Sequence, residues 1–316
     1  MDIRPKNSGV RRPLIGLCAV AIMFGLSTGS VLAADKAAIS PSETKHGSLD
    51  RIGKKLANPV SDIWAITTSW NMPTFYDGDV NTGDPKVGAS MVIEPILPFP
   101  LFGSGKDEWR LVSRPVIPLV LSAPVPTGVN KFDHKTGIGD IQLPTLVNLP
   151  ERSSGKWLLG AGQVSLLPTA TSDDLGSSQW AMGPAVVLGY KTENAVGGIF
   201  PNYFWKIGSA GQDADTPDIN QGSLLYFFNY SLPNGWEVGT NPTITYNHNA
   251  ESENKWNVPV GGYVGKMIRL GRLPVNIKVG AEYSVVSEND FGKRHSFRFL
   301  ITPVIPGLVK KPIFGN

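Results

Sequence analysis

Few residues of this chain stand at spacings that could do covalent chemistry. There is no G-x-S-x-G elbow, no H-E-x-x-H pair and no Walker loop, and Thr136-Gly137-Ile138-Gly139-Asp140 lacks the third glycine of a dinucleotide-binding turn. The four histidines, His46, His134, His248 and His295, lie far apart in sequence. His295 stands beside Ser296, but adjacent residues of a strand point to opposite faces, which argues against a hydrolase pair. Asp213, Asp215 and Asp218 could take a hard cation, although a solvated acidic loop accounts for them better. The sequence therefore predicts no enzyme, no metal and no cofactor. What remains is a set of polar and charged residues recurring inside long alternating segments: Arg110, Arg114, Asp140, Gln142, Gln163, Lys206, Glu237, Asn241, Lys278, Glu282 and Arg298. Residues of this kind can select solutes by sign and hydrogen bonding, or pair with one another and brace a wall.

The segments that would position them are strands. In 273–285 the odd positions are Leu, Val, Ile, Val, Ala, Tyr and Val, and the even ones Pro, Asn, Lys, Gly, Glu and Ser, an alternation that only a strand sorts onto two faces. Its length exceeds the roughly 9 to 11 residues that a tilted strand needs to cross a hydrocarbon layer. Twelve such segments are expected, at 61–71, 87–98, 109–121, 136–149, 157–168, 180–191, 195–207, 220–232, 236–247, 256–270, 273–286 and 295–306. The connections alternate long and short, the pattern of an up-and-down antiparallel barrel with short turns at one end and loops at the other. Apolar faces would meet lipid and polar faces a wet lumen. Trp64, Trp70, Trp109, Trp157, Trp180, Trp205, Trp236 and Trp256 sit near predicted strand ends, as interfacial girdles require. Prolines 115, 118, 144, 184, 201, 242, 259 and 303 fall inside strands, each at the loss of a ladder bond, and bulges are expected at them.

Residues 1–33 read as a cleaved secretory signal: Arg4, Lys6, Arg11 and Arg12, an apolar run from Leu14 to Leu26, then Val31 and Ala33 before the cut. The single cysteine, Cys18, lies within it, so the mature chain has no thiol. Four of the 29 basic and one of the 26 acidic residues leave with the signal, which makes the mature chain neutral and gives no basis for a nucleic-acid partner. The 35 Gly, the 26 Pro and a charged fraction of 17% favour an all-β chain. Residues 34–60 form a lead-in in which Leu49, Ile52 and Leu56 recur at helical spacing. A short helix is expected there, as a plug or a periplasmic partner site, or simply as a solvated approach to the first strand.

The segments LANPVSDIW from Leu56, TGIGDIQL from Thr136, LLPTATSDDLGSSQWAMGP from Leu166, DINQ from Asp218, NYSLPNGW from Asn229, WNVPVGGYVGK from Trp256, GRLPVNIKVGAEYSVV from Gly271 and SFRFLITPVIP from Ser296 together resemble a bacterial outer-membrane barrel family associated with meta-pathway phenol degradation. The resemblance runs from about residue 56 to 306 and implies uptake of small aromatic or hydrophobic compounds. It supplies no catalytic residues, and the tail 307–316 departs from it. The expectation is thus a 61–306 transmembrane barrel in the bacterial outer membrane. Its partners would be membrane lipid, the barrel-assembly machinery and a small solute that passes passively. The alternative is a non-conducting adhesin or scaffold that binds through its loops.

Overall fold

In the computed structural model the described residues are 49, 51–58, 61–211, 217–309 and 311–314. Alternation becomes a single antiparallel sheet of fifteen strand segments: β1 Ala65–Gly78, β2 Asn81–Phe102, β3 Trp109–Ser113, β4 Ile117–Gly128, β5 Lys131–Ile138, β6 Ile141–Asn148, β7 Trp157–Leu167, β8 Gln179–Lys191, β9 Ala195–Ser209, β10 Asn220–Ser231, β11 Trp236–Thr240, β12 Thr243–Asn247, β13 Trp256–Leu270, β14 Leu273–Val286 and β15 Gly292–Pro303. Three staves are each broken in two, β3/β4 at Pro115, β5/β6 at Gly139-Asp140 and β11/β12 at Pro242, so the segments make twelve staves. Proline has no N–H to give to the ladder, which accounts for two of the three breaks. The sheet closes on itself through β1 and β15, with Trp70 opposite Phe299 and Thr68 opposite Ile301. Neighbours pair in chain order around the ring, and closure leaves no free edge.

Both ends of the stave series lie at one end of the barrel, here called the near end. Its connections are short, and the tightest is Gly271-Arg272 between β13 and β14, where Gly271 takes a φ of 61°. The far end differs from the expected run of long loops. Residues 72–86 and 122–135, expected as connections, are instead paired strand: β1 and β2 meet in a two-residue turn after Gly78, and β4 and β5 turn at Val129-Asn130. Both extensions carry polar residues on each face, because a sheet that rises above an apolar layer is wetted on both sides and loses its period of two.

The outward face is apolar. On β14 Val279, Tyr283 and Val285 are exposed while Asn276 and Ser284 are buried inside. Trp157 packs edge-on to Tyr190 near one rim, and Trp256 against Tyr246 near the other. Trp64 departs from the expected girdle: it is 6% exposed and lies edge-on to Phe99. The inward face is not uniformly polar either. Leu146, Leu158, Ala185, Val187, Val196 and Phe227 form a buried cluster, and Val164, Leu166, Ala181, Phe204 and Ile219 a second. The lumen therefore has an apolar side on β6–β10 and an ionic side on β11–β15.

Candidate solute pathway

At the far end a vestibule of about 560 Å³ is walled by hydroxyl and amide side chains, among them Asn71, Thr74, Ser90, Thr245, Asn257 and Ser296. A second cavity of about 300 Å³ lies deeper in the lumen. Asn241, Thr243 and Arg298 line both, so they form the neck between them. Arg298 sits inward because β15 alternates, with Phe297 and Phe299 outward. Its Nη1 donates to Glu282 Oε1 at 2.5 Å and to Asn241 Oδ1 at 3.2 Å, and Lys293 Nζ reaches the other Glu282 oxygen at 3.0 Å. Four residues along β14 from Glu282, Lys278 Nζ lies 3.0 Å from Glu237 Oε1 and 4.2 Å from the centre of the Tyr263 ring. Asn276 donates to the same Glu237 oxygen at 2.8 Å, and Tyr263 donates its hydroxyl to Asn229 Oδ1 at 2.8 Å. Two staves round the ring from β15, Glu94 of β2 pairs with Arg114 at 3.3 Å. Between these ionic groups the inner cavity is lined by Ile96, Val112, Leu146, Phe200, Phe227 and Leu300.

The floor comes from the lead-in. Residues 51–56 are helical (α1), and Leu56 and Ala57 line the inner cavity, Ala57 packing on the buried apolar cluster. Lys54, Lys55 and Asn58 line a different cavity of about 410 Å³ at the near end, with Asp62, Glu108 and Arg110. The two cavities share no lining residue, so segment 54–58 stands between them. It is fastened by Lys55 to Asp62 at 2.8 Å and by Lys54 to Asn194 at 3.2 Å. Burial raises the Asp62 pKa, but the Lys55 hydrogen bond and charge, with Arg110, outweigh it and hold the carboxyl below its ordinary 3.8.

The residues singled out in the sequence divide among these places. Arg114, Gln142, Asn241, Lys278 and Arg298 line the inner cavity, and Glu237 and Glu282 stand behind the last two cations. Arg110 lies in the near-end cavity, bonded to Glu108 through its Nε. Lys206 pairs with Asp218 at 2.6 Å, which ties up one of the three loop aspartates; Asp213 and Asp215 lie outside the described residues, as does His46. Asp140 serves the wall rather than the lumen. Its carboxylate accepts from the backbone N–H groups of Ala170 and Ser177 and from the Ser177 hydroxyl, and so clasps the loop between β7 and β8 over the gap at the β5/β6 break. Gln163 faces outward. It shares the parity of Trp157 on β7, is exposed, and stands opposite Thr145 and Pro184. Ser296 and His295 point apart: Ser296 is buried against Thr74 at 3.0 Å, while His295 lies between the rings of Phe75 and Tyr283. The sequence reading missed Glu94, a lone carboxylate in an apolar strand, and Lys293, placed in a loop.

No described protein family matches the chain, and no curated protein matches it. Among solved structures, the COG4313 outer membrane channel from Pseudomonas putida F1 superposes with a TM-score of 0.55 over 77% of this chain and 94% of that one, at 12% identity. The two chains share a barrel fold. The NanC porin, at a TM-score of 0.46 and 12% identity over 77% and 99% of the two chains, and the Pseudomonas putida toluene transporter TodX, at 0.39 and 10% over 80% and 93%, overlay less well. At these identities the likeness speaks for the barrel and not for what the channel carries.

Proposed function

We propose that this chain is an outer-membrane channel that admits small solutes passively, hydrophobic and aromatic compounds among them, through a lumen closed at the near end by α1. The observation that carries this reading is the continuous lining from far-end vestibule to neck to a half-apolar inner cavity, ending on Leu56 and Ala57. A purely structural barrel would be expected to fill its lumen, whereas an open porin would keep a wet and evenly polar one. The apolar inner wall supports solutes with a hydrophobic body, in line with the uptake role implied by the sequence resemblance. Export by a cleaved 1–33 signal, insertion by the barrel-assembly machinery and a single 61–306 barrel domain complete the reading. The test is uptake of a small radiolabelled aromatic solute by cells whose outer membrane contains the protein. Uptake several-fold faster than in cells lacking it is expected, and equal rates would contradict the proposal.

A further inference from the structure

The charged side of the inner cavity is layered. Four charged side chains line it, Glu94, Arg114, Lys278 and Arg298, and three of them are cations. The carboxylates that neutralise Lys278 and Arg298 are set behind them: the Lys278 side chain is 13% exposed against 4% for Glu237, and that of Arg298 18% against 8% for Glu282. Glu282 is also shared with Lys293, so one carboxylate serves two cations at the neck. Glu288 is the other acid of the far-end vestibule; it accepts from Asn257 and does not line the inner cavity. Arg298 spends a single nitrogen, Nη1, on both its protein partners, and Arg114 a single Nη2 on Glu94. A guanidinium offers five donors in a fixed fork, so both can still receive a planar anion. On the apolar side of the cavity stand Phe200 of β9 and Phe227 of β10, while Leu300 lies beside the cations, opposite Lys278 in register.

From this layering we propose that the inner cavity is a binding site for small amphiphilic anions, a carboxylate on a short aromatic or aliphatic body. The carboxylate meets Arg298, Lys278 and Arg114, and the body lies on Phe200 and Phe227. The inference rests on the channel reading above and narrows it to a class of solute. A neutral head forgoes the charge-assisted bonds, and a cationic head meets three like charges against the single carboxylate of Glu94 in the lining.

The test is equilibrium binding of benzoate, benzyl alcohol and benzylamine, one ring with three heads, to the mature protein in lipid nanodiscs, corrected for uptake by empty nanodiscs. Benzoate is expected to bind on the order of tenfold more tightly than the other two. Arg298→Gln and Arg114→Gln should each remove most of that preference, and Arg298→Lys should keep part of it. Heat-modifiable migration shows that each variant has folded, and Arg114→Gln serves if Arg298→Gln does not fold. Equal binding of the three, or preference for the amine, would overturn the anion site while leaving the channel reading in place. Absence of binding by all three to a folded barrel would overturn both.

Discussion

At the scale of single residues, inward and outward positions are decided by parity, and parity has energetic consequences. Gln163 exposes an amide on the apolar outer face, six positions along β7 from Trp157. Replacing it with Leu removes the cost of holding an amide in hydrocarbon, so Gln163→Leu should stabilise the barrel by about 1 to 2 kcal/mol, read as a later guanidinium midpoint in lipid vesicles. An unchanged or earlier midpoint would mean that the amide has a partner in the membrane. Asp140 has the opposite character. Asp140→Ala leaves three donors of the β7–β8 loop without an acceptor, at a cost of about 1 to 3 kcal/mol, and proteinase K should then cut within residues 169–178, where the native loop resists. The sequence showed both side chains within strands, but not which way they served. β7 reads Trp-Leu-Leu-Gly-Ala-Gly-Gln-Val, without alternation, and only counting from the outward Trp157 would have placed Gln163 correctly.

At the scale of elements, β14 was legible because one of its faces is apolar and the other faces the ionic lumen wall. β8 was less so, since Ala181, Ala185 and Val187 face inward and are as apolar as the Trp180, Met182 and Leu188 that face outward. The paired extensions of β1–β2 and β4–β5 read as loops for the converse reason, polar residues on both faces. The helical spacing of Leu49, Ile52 and Leu56 gave α1, but spacing says nothing about what a helix covers. Its fastening to the wall gives a pH prediction. Because the Asp62 pKa is lowered, the Lys55 clasp contributes fully above 3.8 and is lost as pH falls through the lower folded value. Closed dwell times in a bilayer should therefore stay constant from pH 8 to 5 and shorten only below pH 3.8, whereas Asp62→Asn should shorten them at neutral pH. Shortening that begins near pH 6 would implicate another group.

At the scale of the whole molecule, closure into twelve staves leaves a lumen wide enough for cavities on either side of segment 54–58, and the two sides of that lumen differ in chemistry. The barrel itself was readable from stave count, turn composition and tryptophan placement. The division of the lumen was not, because it depends on which inward faces meet across the ring, and that is a property of closure rather than of any one strand. The central claim is a solute pathway blocked by the lead-in, and single-channel conductance tests it most directly. The mature protein and a variant lacking residues 34–58 would be refolded, checked by heat-modifiable migration and compared in planar bilayers. The plugged pathway predicts small or brief openings for the first and steady, several-fold larger steps for the second. Equal conductance in the two, or silence from the folded variant, would contradict it.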